Sequence, residues 1–398
     1  MRREEVGCYE VLCGVDVGKD AHCCRAVARD GETVLLARTV GQDEGEISAF
    51  LSELSSIGRA LVVVDQHGGF GALVVTLALA AGVDVARIPP SRFARASELY
   101  GEGKTDESDA MVLARLPVEA PRHVDLVADP GEEVERAKVL VRYRHDIVCE
   151  RTRAYNRVHD ALGRCLPPLE RELSGPALHT SLALAMLARW GASGLACARW
   201  CDVRRWARSR KGAGPAAEEA AGRMWRAARS QSAAMPAADV LDQVIMADAA
   251  RTIELERLDD ELSEQIAGLC AGLPAVGVLL SMPGVGEVYS RTIALEAGDV
   301  GRFDSASKLA AYCGVGKCPR ESGKRRGRKR RRCYNRRLHT AVMESAKIAI
   351  RKPGPDRDYY EKKLAGGMNE HQALHALARK RVSIMYAMLK SMEPYRAA

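Results

Sequence analysis

The chain has 398 residues, of which 47% are hydrophobic, so it can bury sizeable cores and is long enough for two or three domains. Its 60 Lys and Arg residues exceed its 52 Asp and Glu residues, and the net charge of +8 is strongly local. No apolar run is long enough to span a membrane, which excludes a membrane partner. Twelve scattered cysteines without zinc-ligand spacing predict reduced, mostly buried thiols in a cytoplasmic protein.

The first 120 residues alternate strand-like and helix-like segments. Three strand patterns at residues 11–17, 23–28 and 33–40 come first, with an Asp-Gly hairpin signal at residues 30–31. Helical patterns at residues 44–55, at 71–81 and from residue 91 then alternate with apolar strand patterns at 60–64 and 83–88. Three hairpin strands followed by α/β alternation are typical of a ribonuclease-H-like sheet. We therefore predict a mixed α/β domain over residues 1–120.

Four aspartates stand where this domain is expected to bind a ligand. Asp16 and Asp65 each close a short apolar run, so neighbouring parallel strands would bring them to one sheet edge. Asp106 and Asp109 lie three residues apart in a predicted helix at residues 105–116, which places both on one helix face. Crowded carboxylates repel unless a hard cation neutralises them, and oxygen ligands favour Mg²⁺ or Mn²⁺. The spacing therefore predicts a metal site suited to phosphodiester chemistry.

Each aspartate also has a purely structural interpretation. Asp16 and Asp65 could be strand-end turn residues. Asp106 and Asp109 could be a helix N-cap and a solvated acid of the first helical turn. We favour the metal site because all four aspartates occur together.

Beyond the first domain the sequence is predominantly helical. Helical patterns at residues 133–162 and 240–269 are long enough for paired or coiled-coil helices, with one apolar stripe along the second. Residues 121–274 are therefore predicted to pack or oligomerise through these helices, with an Ala- and Arg-rich insertion between them. A Pro-Gly-Val-Gly turn at residues 283–286 begins the third predicted domain, residues 275–398. This turn resembles a phosphate-binding helix-hairpin-helix element, or it is an ordinary helix-helix turn.

A dense basic strip at residues 319–332 follows in the third domain. Its local positive charge predicts binding to the phosphate backbone of nucleic acid, largely without sequence preference. Ser322 lies within this strip and could attack a phosphodiester or simply hydrogen-bond a phosphate. The residues alone favour the second role, because no histidine or other base stands nearby in the sequence.

The ordered motifs of the chain resemble those of DEDD transposases of bacterial insertion sequences, the IS110 family of bridge-RNA-guided recombinases. The resemblance spans nearly all of the predicted domains. It rests on the Asp16 motif at residues 14–19, the Asp65 strand with two glycines at 68–69, and the Lys-Thr-Asp and Asp-Ala sequences within residues 104–110. It also rests on the turn at residues 283–286 and on Ser322-Gly323 followed by Asn335 and Leu338.

That resemblance implies a resolvase-like (RuvC-like) N-terminal domain in which the four aspartates are catalytic and hold Mg²⁺ or Mn²⁺, a coiled-coil middle and a mainly helical C-terminal transposase domain. It implies that Ser322 is the nucleophile, which reverses the preference drawn from the residues alone. The implied partners are donor and target DNA, a guide (bridge) RNA and further copies of the chain in a dimer or tetramer, associated with the bacterial nucleoid. The residues expected to bind nucleic acid are Lys104, Gly284, Gly286, Lys324, Arg325, Arg326, Arg328, Lys329, Arg330, Arg331, Arg332, Asn335, Arg336 and Arg337.

Three other functions fit parts of the sequence. A structure-selective endonuclease would use the same four acids to activate water, and strand rejoining would exclude it. An actin-like ATPase or sugar kinase could use residues 14–19 as a phosphate-binding hairpin, although no second Asp-Gly-Gly loop follows at the expected midpoint. Nucleotide-dependent turnover would support that function. An architectural nucleic-acid binder would need only the basic strip and the helical middle, and would bind without metal or cleavage.

Overall fold

The computed structural model describes residues 1, 3–100, 105–127, 131–210, 214–233, 235–316, 319–322, 325–328 and 334–396, and for residues 3, 91, 319–322 and 325–328 it describes the backbone only. The chain divides into two compact units, Met1–Gly131 and Glu132–Ala398.

The first unit is built on a mixed sheet of six strands in the order β3-β2-β1-β4-β5-β6. Its strands are β1 (Val11–Asp16), β2 (Ala21–Ala28), β3 (Val34–Gly41), β4 (Ala60–Val64), β5 (Asp84–Arg87) and β6 (Asp125–Leu126). The first three strands form an antiparallel meander, and β1, β4 and β5 run parallel to one another. Every residue of β4 is buried, as is typical of a central strand covered on both faces.

Five helices complete the first unit: α1 (Arg3–Val6), α2 (Glu44–Ile57), α3 (Ala72–Ala80), α4 (Pro90–Tyr100) and α5 (Asp106–Glu119). The predicted order of three strands followed by alternating helices and strands is confirmed, and the chain is an α/β unit joined to a helical one. Two details differ from the prediction. Helix α5 continues through Pro117 to Glu119, and the short strand β6 pairs with β5, so the unit extends past residue 120.

The second unit is almost entirely helical. Its helices are α6 (Glu132–Cys165), α7 (Pro167–Glu172), α8 (Ser181–Trp190), α9 (Ser193–Cys197), α10 (Trp200–Arg208), α11 (Pro215–Arg229), α12 (Ala238–Cys270), α13 (Pro274–Leu280), α14 (Glu287–Ala297), α15 (Ala306–Tyr312), α16 (Arg336–Ala349), α17 (Pro355–Ala365) and α18 (Glu370–Ser391). A two-stranded antiparallel hairpin, β7 (Pro319–Ser322) and β8 (Arg325–Arg328), lies between α15 and α16. The sequence predicted only a basic strip there. The predicted boundary at residue 274 stays a prediction.

Helices α6 and α12 are the predicted long pair, and they pack against each other antiparallel. Arg144 Nε lies 2.7 Å from Asp259 Oδ1, and further along the pair Arg157 Nε donates to Asp248 Oδ2 at 2.7 Å. The apolar stripe of α12 is buried at Leu255, Leu262 and Ile266. The stripe therefore serves packing within one chain, and its use in oligomerisation stays a prediction.

The ten cysteines within the described residues are all free thiols, and six of them are buried. No single helix in the described part of the chain is both long and apolar enough to cross a membrane, although the bent pair α12–α13, with its 114° bend, passes the same test of length and composition.

Candidate active site

The parallel strands β1 and β4 bring two of the four predicted acids to one edge of the sheet. Asp16 is the last residue of β1, and Asp65 directly follows β4. Because Val15 is in register with Val64, the next residue of each strand emerges beside the other at the carboxyl ends of the pair. This is the edge at which open α/β sheets bind their ligands.

Helix α5 carries the other two acids, and it lies directly on β1. A Cβ atom added at Gly14 would stand 1.9 Å from the backbone oxygen of Ala110 and 2.5 Å from the nitrogen of Ala114, so only glycine permits this approach. Asp106 and Asp109 occupy the first turn of α5. The packing at Gly14 therefore sets the distance of this first turn from the strand that ends in Asp16.

Two contacts fix the beginning of α5. Thr105 is its N-cap and forms a capping box with Ser108, so the structural interpretation of Asp106 as the N-cap is wrong. Arg25 of β2 forms a salt bridge to Glu107 with 2.9 Å between Nη2 and Oε1. Sequence reasoning missed Arg25, although a single basic residue in an apolar strand was a usable signal. The contact ties the first turn of α5 to the strand beside Asp16.

Two sets of charges interact at this edge: Asp109 acts on Asp65, and Asp16 and Asp106 act on the thiol of Cys23. The pKa of Asp65 is raised by burial. The charge of Asp109 raises this pKa further, whereas hydrogen bonds from Gln66 lower it. Asp65 Oδ1 is buried and has no hydrogen-bond partner among the described residues. The thiol of Cys23, opposite Asp16 in the strand register, has its pKa raised by burial, and the charges of Asp16 and Asp106 contribute to that rise. A cation bound here would relieve both effects.

The donors at this edge fit a hard divalent cation, because they are carboxylate oxygens and one of them is buried with no hydrogen-bond partner in the described ranges. Within the residues that the structure describes, however, no group of three or more His, Cys, Asp or Glu side chains is gathered closely enough to hold a metal ion. The backbone places the acids at one edge, and rotation of their side chains would be needed to surround an ion. The metal-ligand roles of Asp16, Asp65, Asp106 and Asp109 stay predictions.

The turn at residues 283–286 lies between α13 and α14. Its role as a phosphate-binding helix-hairpin-helix element stays a prediction. Gly284 has φ +78°, and a Cβ there would lie 2.7 Å from the backbone oxygen of Ser345 in α16. This glycine therefore serves close packing between helices. Gly286 precedes α14 with open space around it and no side-chain cap. Of the two glycines, Gly286 is the one that leaves room for a phosphate.

Three of the residues predicted to bind nucleic acid lie at the start of α16. Asn335 caps the helix through Leu338 N, and its amide also donates to Glu296 Oε2 at 2.7 Å and to the Tyr312 hydroxyl at 3.1 Å. Its side chain is thus already engaged within the fold. Arg336 is exposed. Arg337 Nη2 lies 4.0 Å from Asp146, and its Nε is buried without a hydrogen-bond partner among the described residues.

A cleft of about 710 Å³ connects several of these features. Its walls include Gly284 and Gly286 of the turn, Arg337 of α16, and Arg144 and Arg151 of α6. The last two arginines are held by Asp259, whereas Arg337 has the weaker 4.0 Å contact. The structure therefore brings the turn and Arg337 together around one basic cleft within the second unit.

Ser322 is the last residue of β7 and is in register with Arg325 of β8. Lys104, Lys324, Lys329, Arg330, Arg331 and Arg332 lie outside the described residues, and Arg325, Arg326 and Arg328 are described by their backbone only. The functional roles predicted for these residues and for Ser322 stay predictions.

Comparison with known proteins places the chain in a family. A family model described as a transposase matches residues 13–167, and a second, described as a transposase of the IS116/IS110/IS902 family, matches residues 276–361. The chain is 31% identical to the 44.8 kDa protein of insertion element IS116 from Streptomyces clavuligerus, over 95% of this chain and 94% of the relative. It is 33% identical to the 43.6 kDa protein of IS110 from Streptomyces coelicolor, over 97% and 95% of the two chains. A 42 kDa protein of IS900 from Mycobacterium paratuberculosis is 31% identical over 98% of each. The chain therefore belongs to the IS116/IS110/IS902 family of insertion-element transposases.

Proposed function

We propose that this transposase is a site-specific DNA recombinase that cleaves and rejoins strands with four metal-binding carboxylates and a serine nucleophile. The observation that carries the proposal is the juxtaposition in the first unit. Asp16 and Asp65 emerge side by side from parallel strands, and α5, whose first turn carries Asp106 and Asp109, packs on the strand of Asp16 at Gly14. We assign this unit to the ribonuclease-H-like (RuvC-like) class.

The four carboxylates have the chemistry required for the metal. Mg²⁺ or Mn²⁺ bound there would neutralise charge that develops on the phosphate oxygens during displacement. The buried Oδ1 of Asp65, which has no hydrogen-bond partner in the part of the chain that the structure describes, and the pKa of Asp65, raised by burial and by Asp109, support a site that a cation completes. The role of the residues themselves is to hold that charge and to orient the phosphodiester.

Ser322 is the proposed nucleophile. Its Oγ would form a bond to phosphorus while the bond from phosphorus to one deoxyribose oxygen breaks, and that oxygen leaves with a proton. Attack by a deoxyribose hydroxyl on the resulting phosphoserine would restore the serine hydroxyl and join the new strand. No water is consumed, so the number of phosphodiester bonds is conserved. The basic strip around Ser322 supports this assignment through its attraction for phosphate.

The proposed partners are donor and target DNA, a bridge RNA that supplies sequence choice by base pairing, and further copies of the chain in a dimer or tetramer. The basic cleft beside Gly286 and Arg337 offers one place for a phosphate backbone. These partners rest on the family and on the resemblance of the motifs.

Capture of a covalent protein–DNA complex tests the proposal. The full chain is purified from cells that express the whole insertion element, so that an element-encoded RNA copurifies, and is incubated with labelled donor DNA and Mg²⁺. We expect a denaturant-resistant complex with wild type that is lost in Ser322→Ala and in Asp16→Ala. Free cut ends that persist in Ser322→Ala and disappear only in Asp16→Ala would mean a metal-dependent endonuclease instead.

A further inference from the structure

All four tryptophans of the chain lie within residues 181–230. Three of them, Trp190, Trp206 and Trp225, are each stacked with an arginine guanidinium. In what we call the first Arg–Trp cluster, the guanidinium carbon of Arg189 lies 5.0 Å from the ring centre of Trp190, and that of Arg210 lies 5.2 Å from the ring centre of Trp206. The two indoles meet edge to face, with 4.9 Å between their centres. The cluster is therefore a continuous row in which two aromatic rings lie between two cations.

The second Arg–Trp cluster repeats this arrangement with other residues. Arg229 lies over Trp225 at 5.1 Å, and the Trp225 and Trp200 rings are 5.5 Å apart. Arg226 lies near this pair of rings, because its Nη1 and the Trp200 ring are each 3.3 Å from the point where a Cβ on Gly222 would stand. Each cluster thus holds two arginines and two tryptophans on the helices α8, α10 and α11 and the residues that flank them.

The four arginines of these clusters differ from their neighbours in charge compensation. Other arginines of the same helices are neutralised: Arg204 and Arg208 both contact Glu218, and Arg223 contacts Glu172. The cluster arginines are exposed, and within the described residues none of them forms a salt bridge. The clusters are therefore sites of uncompensated positive charge.

A guanidinium stacked on an indole is well prepared to bind phosphate. The stacking uses the face of the guanidinium and restricts its motion, while the N–H groups at its edge remain available for a bidentate contact. We propose that the two Arg–Trp clusters form a binding surface for the sugar-phosphate backbone of a nucleic acid. This surface goes beyond the proposed recombinase chemistry, and it lies between the two regions that the family models match.

A matched pair of variants tests the proposal in the full chain. The test variant carries Arg189→Gln, Arg210→Gln, Arg226→Gln and Arg229→Gln. The control variant removes the same charge from exposed arginines that already pair with a carboxylate four residues away, and it carries Arg136→Gln, Arg164→Gln, Arg257→Gln and Arg357→Gln. Because the total charge of the two variants is equal, any difference between them reports on the position of the charge.

The first readout is the anisotropy of a fluorescein-labelled RNA hairpin, which measures overall binding. The second is the intrinsic tryptophan emission of the protein when the unlabelled hairpin is added. Both measurements are repeated with a DNA hairpin of the same sequence. Since every tryptophan lies in the two clusters, a change in emission reports a change in the surroundings of these clusters, and comparison with the control variant assigns it to their arginines. We expect wild type and control to change emission on binding, and the test variant to lose that change. The slope of log K against log salt concentration should fall by about 3 to 4 in the test variant relative to the control.

Binding detected by anisotropy without any change in tryptophan emission, or equal losses in the test and control variants, would overturn the proposal. A change in tryptophan emission with the RNA hairpin, the DNA hairpin or both would support the proposal, and it would show which nucleic acid supplies the phosphate backbone. If the test variant fails to fold by circular dichroism, the double variant Arg210→Gln, Arg226→Gln replaces it, with half the expected change in slope. Asp16→Ala should leave these readouts unchanged, which separates this proposal from the recombinase chemistry.

Discussion

Gly14 is the point at which α5 meets the sheet, and Gly14→Ala tests whether this contact positions the carboxylates. The added Cβ would lie 1.9 Å from Ala110 O, whereas an ordinary contact begins at 3.4 Å, so a separation of about 1.5 Å between the two backbones would restore an ordinary contact. Overpacking of this kind typically costs about 1–3 kcal/mol of folding free energy. A displacement of about 1 Å at a catalytic group can cost on the order of 100-fold in rate. We therefore expect a larger loss of activity than of stability.

The assay counts recombination junctions by quantitative PCR in cells that carry the gene with its native flanking DNA and a target plasmid, and thermal unfolding of the purified chain measures stability. Gly268→Ala in α12 is the control, because nothing lies within 4 Å of its added Cβ. That variant should be fully active and as stable as wild type or more so. Wild-type junction counts and unchanged unfolding in Gly14→Ala would refute the claim that this close approach positions Asp106 and Asp109.

Three other positions carry predictions of their own. Because the raised pKa of Asp65 means that the folded state binds its proton more tightly than the unfolded state, the contribution of Asp65 to stability is fully present below the ordinary carboxyl pKa of 3.8 and is lost as pH rises through the folded pKa. Asp65→Asn should therefore stabilise the chain in EDTA at neutral pH, by on the order of 1 kcal/mol in thermal unfolding, and should lose any stabilisation by Mg²⁺. A lower melting temperature than wild type in EDTA would contradict this prediction. Gly284→Ala should lower the free energy of unfolding by about 1–3 kcal/mol in urea, because of the positive φ at Gly284 and its contact with α16. Gly286→Ala should have nearly the wild-type free energy of unfolding. Equal free energies of unfolding for the two variants would argue against a packing role for Gly284. Asn335→Ala should lower the free energy of unfolding by about 1–2 kcal/mol in urea, because it removes the helix cap and two side-chain hydrogen bonds, and should have little effect on DNA affinity. Unchanged stability with a loss of DNA affinity would place Asn335 at the nucleic-acid interface instead.

The strand pair that carries Asp16 and Asp65 was predictable because short, uninterrupted apolar runs are typical of buried parallel strands. The shared placement of Asp106 and Asp109 in one helical turn followed from their spacing alone. These features depend on local sequence, in which side-chain periodicity determines which face is buried. The same periodicity identified the long helices of the second unit.

The features that sequence reasoning missed depend on contacts between distant residues. The role of Gly284 depends on α16, about 60 residues further along the chain, and the engagement of Asn335 depends on Glu296. The hairpin β7–β8 was missed because neither strand shows the alternation of apolar and polar residues that predicts a strand, and only the pairing of the two strands reveals it. Helix α5 continues past Pro117 to Glu119, so a proline, which lacks the N–H and clashes with the carbonyl four residues before it, did not mark the end of this helix.

The central claim is that the acids and the serine act together to cut and rejoin DNA, and junction sequencing tests it most directly. Cells carry the gene with its native flanking DNA and a target plasmid, and wild type is compared with Asp16→Ala and Ser322→Ala. We expect precise new junctions with wild type and none with either variant, while both variant proteins accumulate to normal levels. Junctions that persist in Ser322→Ala, or nicks without rejoining that only Asp16→Ala removes, would contradict the account.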